Sequence, residues 1–275
     1  GNCFYQIDID VLEDVISENE LDLDEGLLLG SQTWIEGRLR FFIAGNYYSG
    51  GYVTLSTIPE SFGNLTELRM LYLNWNNLTS IPESFDQLIN LIYLVLSNNQ
   101  LISTFDNIGN LENLYYLDLG YNALESIPES IGELQNLQYL YIFVNQLTTL
   151  PDSICDLNIN WDGLDYTFLP FFGSGGNLLC DYVPECIANS IHFNIALDQT
   201  YYAFAIDVPQ ECDDPYTLGD VNNDGSIDVL DIVLVVGIIL DTYDPTDTQL
   251  LASDLNIDGD INVLDIVLIV DIILS

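Results

Sequence analysis

The stretch Leu91-Ile92-Tyr93-Leu94-Val95-Leu96-Ser97-Asn98-Asn99-Gln100-Leu101, read with Ile81-Pro82-Glu83-Ser84-Phe85 just before it, decides the fold. Alternate leucines at 94 and 96 mark a short strand with one buried face. Asn99 stands where the chain turns, and its amide can serve backbone groups that the turn leaves without partners. The pattern recurs as Leu68, Leu71, Leu73, Asn76 and Leu78; as Leu114, Leu117, Leu119, Asn122 and Leu124; and as Leu137, Leu140, Ile142, Asn145 and Leu147. The Ile-Pro-Glu-Ser segment recurs from Ile58, from Ile127 and, as Leu150-Pro151-Asp152-Ser153-Ile154, from Leu150, with a weaker copy from Thr104; every step is 23 residues. No single unit can bury its own leucines, so the units must stack around one core and one parallel sheet, with the asparagines in a ladder.

These motifs resemble the leucine-rich repeat family in its 23-residue form, over roughly residues 38–180. The resemblance implies an α/β fold: a solenoid with a parallel β-sheet. Arg38, Phe41, Ile43, Asn46 and Tyr48 fit the pattern loosely, with a seven-residue insertion near Ser49-Gly50-Gly51. Before them, Leu12, Val15 and Ile16 follow helical spacing behind Asp8 or Asp10 as N-cap, and Trp34 precedes the first strand, which predicts a helical cap over 1–37. At the far end Phe168, Phe171 and Phe172 are expected to cover the open edge, closing a repeat domain over 38–190. Five cysteines without metal-type spacing read as disulfides, with Cys155, Cys180 and Cys186 stapling this cap and Cys3 left over. Residues 191–216, rich in aromatics at Tyr201-Tyr202 and Phe204, read as a connector.

A second repeat, of period 34, occupies 217–275. Asp220, Asn222, Asp224, Ser226, Asp228 and Asp231 align with Asp254, Asn256, Asp258, Asp260, Asn262 and Asp265, and Gly225 aligns with Gly259. Calcium takes six to eight hard oxygens, and loop positions 1, 3, 5, 7, 9 and 12 wrap the chain around one ion, with glycine at position 6 for the sharp turn. Ser226 and Asp260, at position 7, would offer backbone carbonyls. The pair resembles a type I dockerin, which implies a small all-α module, two Ca2+ ions and a cohesin-like protein partner. Where dockerins with known partners commonly carry Ser or Thr at positions 10 and 11, this chain has Val229-Leu230 and Val263-Leu264, the candidate partner contacts. The segments that follow, Ile232–Leu240 and Ile266–Leu274, are almost wholly apolar and call for cover from a partner or from the repeat domain.

The outward positions of the repeats are aromatic: Tyr72, Trp75, Tyr93, Tyr116, Tyr121, Tyr139, Tyr141 and Phe143, with Asp118 among them. Such a face suits protein or sugar contact. It does not suit glycoside hydrolysis, which needs two carboxylates about 5 to 9.5 Å apart. The single histidine, His192, has no nucleophile pattern around it, so no enzyme is expected.

The composition points the same way. Against 43 Asp and Glu stand three arginines, Arg38, Arg40 and Arg69, and no lysine, for a net charge of −40. A field of that sign repels nucleic acid and anionic lipid, and no apolar run approaches the roughly 20 residues of a membrane span. A chain opening Gly-Asn-Cys reads as a mature or trimmed form. The expectation is a secreted or cell-surface interaction protein that binds a ligand on the concave face and attaches through its calcium module. The alternatives are an accessory or polysaccharide-binding subunit of a degrading assembly, and a calcium module that is purely structural.

Overall fold

Each repeat contributes a strand of three residues, because the Leu-x-Leu core pattern lasts only that long before the asparagine turn. The computed structural model describes residues 3–45, 53–180, 182–200, 202–212 and 217–274. Asn46, Tyr48, the insertion at 49–51, Tyr201 and Pro215 lie outside the described residues. The chain divides into two compact units, Gly1–Glu211 and Cys212–Ser275.

In the first unit α1 (Gln6–Glu18) is followed by β1 (Ser31–Ile35), β2 (Arg38–Ile43), β3 (Met70–Tyr72), β4 (Tyr93–Val95), β5 (Tyr116–Asp118), β6 (Tyr139–Tyr141) and β7 (Phe172–Gly173). These make one seven-stranded sheet in chain order. All neighbours are parallel except β1 and β2, an antiparallel hairpin. The register puts Met70, Tyr93, Tyr116 and Tyr139 in one row across the sheet and Tyr72, Val95, Asp118 and Tyr141 in another. On the opposite side, each Ile-Pro-Glu-Ser segment makes a short 3-10 turn after its proline, as at Glu83–Gln87. The residue after the serine enters the core there: Phe62 and Phe85 stack with centroids 5.2 Å apart, and Phe105, in the place of the proline in the weaker copy, meets Phe85 edge-on at 5.9 Å.

Among the described residues the asparagine ladder runs unbroken from Asn76 to Asn145. Asn145 Nδ2 donates to the carbonyls of Leu119 (3.0 Å) and Ile142 (3.1 Å), while its Oδ1 accepts from the Leu124 N–H (3.0 Å). Asn76, Asn99 and Asn122 repeat this arrangement. A fifth rung, Asn177, bonds Leu147 N–H and the carbonyls of Ile142 and Ser174; irregular spacing hid it from the sequence.

Both ends differ from expectation. The helix begins one turn earlier than its proposed caps: Tyr5 is the N-cap, and Asp8 and Asp10 lie inside α1. Asp8 is buried because its carboxylate holds Arg38 Nε and the Leu39 N–H (both oxygens within 3.1 Å), clamping the helix to β2. Trp34 lies within a strand, β1, and packs at a tilt against Phe4, with ring centroids 4.7 Å apart. At the other end Phe172 is buried in β7, whereas Phe168 stays exposed. A short helix, α2 (Glu185–Ala188), is tied to the last 3-10 turn by the Cys155–Cys186 disulfide. Cys180 and Cys212 are also disulfide-bonded, and Cys3 is free.

The segment read as a connector packs onto the first unit as far as Glu211. It forms the hairpin β8 (Ile195–Leu197) and β9 (Ala205–Asp207). Gly175 and Gly176 N–H groups donate to the carbonyls of Ile195 and Val208, and Glu211 N–H to that of Asn177. His192 is buried in this segment, its Nδ1 3.0 Å from the Trp161 carbonyl, a structural role.

The second unit holds α3 (Val229–Ile239), α4 (Asp247–Ser253) and α5 (Val263–Leu274). Val221, Val235, Ala252 and Ile269 form its fully buried core among the described residues. No helix among the described residues is long and apolar enough to cross a membrane.

Candidate functional site

The two calcium-loop segments fold alike, residue for residue. Gly225 and Gly259 take φ of +86° and +88°, a conformation open to glycine and costly to other residues. Asp220 Oδ2 accepts from the Gly225 N–H (2.9 Å), as Asp254 Oδ2 does from Gly259 (2.9 Å). Asn222 Oδ1 accepts from the Asp224 N–H, and Asn256 Oδ1 from that of Asp258. Asp224 and Asp258 take the N–H groups of Ser226 and Asp260 in turn. Position 12 closes each loop on itself. Asp231 Oδ1 accepts from Val221 and Asn222, and Oδ2 from Asp228; Asp265 does the same with Leu255, Asn256 and Asn262.

That last bond gives Asp231 and Asp265 a second task. Asp228 and Asn262 are N-caps whose side chains accept from the N–H groups of Leu230 and Leu264, and the aspartates three residues on return the bond, a capping box. The signal was present in the sequence as Asp-x-x-Asp and Asn-x-x-Asp. Loop closure and the start of α3 or α5 are therefore one event.

Among the described residues, no three Asp, Glu, His or Cys side chains meet as a metal cluster. Each loop instead offers a mixed set of hard oxygens, with amide and backbone oxygens standing between carboxylates. The donors fit calcium: all are oxygen, Asp220 and Asp231 are buried without a cation beside them, and each accepting carboxylate, taken over its two oxygens, keeps a lone pair beyond its N–H bonds. Asp220, Asn222, Asp224, the Ser226 carbonyl, Asp228 and Asp231 would hold one ion. Asp254, Asn256, Asp258, the Asp260 carbonyl, Asn262 and Asp265 would hold the other, although the Asp260 carbonyl also accepts from Asn262 Nδ2 (2.9 Å). A bound ion would cancel the repulsion among four carboxylates in each loop.

On the concave face of the first unit, the β8–β9 hairpin divides the predicted ligand residues. Tyr141 and Phe143, 1% and 0% exposed, are roofed by Ala196 and Leu197 and cannot meet a ligand. Tyr121 supports the roof, its OH donating to the Leu197 carbonyl (2.7 Å). Tyr139 is half-buried, 4.9 Å from Phe171, with its OH on Asp165 (3.2 Å). Beyond the roof remains a cavity of about 320 Å³ lined by Tyr72, Trp75, Tyr93, Tyr116, Asp118 and, from the hairpin, Thr200 and Tyr202. Neither of the last two was among the predicted ligand residues, because nothing in the sequence folds residues 195–207 back onto the sheet.

Asp118 is 1% exposed, and burial pushes its carboxyl from 3.8 up to about 7, against the Ser97 hydroxyl and the Gly120 N–H (3.0 Å), which favour the charged form. The tyrosines around it, Tyr72, Tyr116, Tyr121, Tyr141 and Tyr202, have phenols raised by burial and stay neutral in this range. An unfolded aspartate releases its proton near 3.8, so the folded chain carries the extra proton between about pH 4 and 7. Stability falls as pH rises through that window. No second carboxylate lines the cavity, so it lacks the pair that acid–base hydrolysis requires.

Comparison with known proteins gives the same division. Residues 54–101, 113–134 and 136–157 match the leucine rich repeat family, and residues 218–274 match the dockerin type I domain. The leucine-rich repeat ectodomain of a receptor kinase from Arabidopsis thaliana is 21% identical over 67% of this chain and 98% of its own, with a TM-score of 0.51. A plant ice-binding protein is 22% identical over 69% of this chain and 62% of its own, with a TM-score of 0.53. Both likenesses are of fold. A leucine-rich repeat protein of Leptospira interrogans is 30% identical over 47% of this chain, which spans 36% of its length, with a TM-score of 0.38. No curated protein matches the chain. The chain thus joins leucine-rich repeats, over residues 54–157, to a region over 218–274 that matches the dockerin type I domain, a calcium-binding family.

Proposed function

We propose that this is a secreted, non-enzymatic adaptor: the repeats present a ligand site on their concave face, and the dockerin, folded around two calcium ions, attaches it to a cohesin-bearing protein outside the cell or on its surface. The observation that carries the reading is a matched pair of apolar surfaces. Val229 and Leu230 are 61% and 56% exposed, and their counterparts Val263 and Leu264 are 64% and 59% exposed. Apolar side chains left in water at the same place in both halves are what a docking surface requires. On the concave face the ligand residues of this reading are Tyr72, Trp75, Tyr93, Tyr116 and Asp118.

Because the halves repeat, a partner seated on one should also seat on the other after a half-turn. Binding of the full chain to a cohesin module in calcium tests this. Leu230→Asp or Leu264→Asp alone should weaken binding only a few-fold, while the double variant should abolish it by burying charge in both contacts. If one single variant already eliminates binding, one half alone is used. If the double variant binds like the parent, the contact lies elsewhere.

A further inference from the structure

We propose that the concave cavity receives a primary alkylammonium group, the side chain of a lysine on a protein partner. The inference rests on the reading of the concave face as the ligand face and names the chemistry that face selects.

The cavity joins two features that each favour a cation. Its walls are the rings of Tyr72, Trp75, Tyr93, Tyr116 and Tyr202, and its acidic residue is Asp118. Aromatic faces attract a cation through the ring quadrupole, most strongly where water is excluded. Asp118 supplies the opposite charge, and nothing in the chain neutralises it. The chain has no lysine and three arginines. Arg38 is held by Asp8 and Arg40 by Glu67, and Arg69 lines a different cavity with Asn90 and Tyr115. A buried carboxylate with no cation beside it is costly, so above the range in which Asp118 keeps its proton a cation from outside would relieve that cost.

The hydrogen-bonding groups narrow the choice. Asn74, which also lines the cavity, has a buried Oδ1 with no hydrogen-bond partner, an acceptor in need of a donor. A quaternary ammonium has no N–H to give it. Asp118 Oδ1 is already occupied by the Gly120 N–H. With the Ser97 hydroxyl also against this carboxylate, there is little room for two further parallel donors, which suits the point-like lysine ammonium better than the two-pronged guanidinium fork of arginine. A volume of about 320 Å³ is ample for a lysine side chain. The net charge of −40 adds long-range attraction for a basic partner.

The test uses the full chain in calcium at pH 8, titrated to tens of millimolar with Nα-acetyl-lysine methylamide, its neutral isostere Nα-acetyl-norleucine methylamide, butylammonium, tetramethylammonium and cellohexaose, and followed by NMR. The lysine derivative should bind at least tenfold more tightly than the norleucine derivative and than tetramethylammonium. Asp118→Asn should remove that preference. The same variant keeps the shape and an acceptor for Gly120, and it should raise the melting temperature at pH 8 while changing little at pH 4, which separates lost recognition from lost folding. Equal binding of the lysine and norleucine derivatives, or undiminished lysine binding by Asp118→Asn, overturns the proposal. If butylammonium binds and the lysine derivative does not, the site takes free amines and the assignment to a protein side chain falls. Cellohexaose binding without lysine binding overturns the cation while leaving the concave face a ligand site. If no probe binds, both readings fall.

Discussion

The two repeats of this chain are closed by different means. In the solenoid each unit lends its leucines to its neighbours, and Leu71, Leu94, Leu117 and Leu140 are all fully buried along one continuous core. In the dockerin the helices are more apolar than anything in the solenoid, yet Val233, Val267 and Leu274 lie in water around a core of four fully buried residues. A module of about sixty residues has little interior to offer and often needs a metal to hold it. What the solenoid achieves by stacking, the dockerin must achieve by drawing its loop oxygens onto an ion.

The strongest way to break the comparison is to remove that ion. Without it, the four carboxylates of each loop repel one another, and the capping boxes built on Asp231 and Asp265 lose the closed loops they start from. Chelation of the full chain should abolish most of the helical circular dichroism, since α3, α4 and α5 hold most of the α-helix. Tryptophan fluorescence should barely move, because Trp34, Trp75 and Trp161 all lie in the first unit. Restoring calcium should return the helix at two ions per chain. Helicity that survives chelation would show that the dockerin folds by packing alone.

The converse change strikes the solenoid and spares the dockerin. Asn145→Ala would strip partners from the buried Leu124 N–H and from the Leu119 and Ile142 carbonyls. At about 1 to 3 kcal/mol for a buried group left unsatisfied, the first unit should lose roughly 3 kcal/mol. Thermal unfolding followed by tryptophan fluorescence would register this, with calcium affinity unchanged. A loss near zero would mean that water replaces the asparagine and the ladder is decorative.

What could be read from the sequence follows from how local each signal is. The repeat strands, the asparagine rungs from Asn76 to Asn145 and the twelve loop positions are fixed spacings within 34 residues, and periodicity exposes them. Asn177 escaped because the last unit is longer than the rest, so the ladder continues where the period does not. The roof over Tyr141 and Phe143 escaped for a deeper reason. Period-2 alternation tells which side chains leave the sheet, but not whether a segment more than fifty residues further on returns to cover them. Tyr202 and Leu197 do so through contacts that no local pattern encodes. The N-cap of α1 was misplaced because Asp8 looks like a cap until its partner Arg38 is seen.

The finest contrast lies inside the dockerin itself, between its two loops. Position 4 of each takes a left-handed backbone, with φ of +55° at both Asn223 and Ile257. Asparagine accepts that conformation readily, while a β-branched residue does not. Ile257 is 77% exposed, so little packing repays the strain. Copying the first loop into the second by Ile257→Asn should therefore stabilise the calcium-loaded dockerin by about 1 kcal/mol, and Asn223→Ile should cost a similar amount. Denaturation of the full chain in excess calcium, followed by helical circular dichroism, measures both. If Ile257→Asn destabilises instead, the isoleucine is held by a contact that outweighs its backbone strain, and the two loops are less alike than their hydrogen bonds suggest.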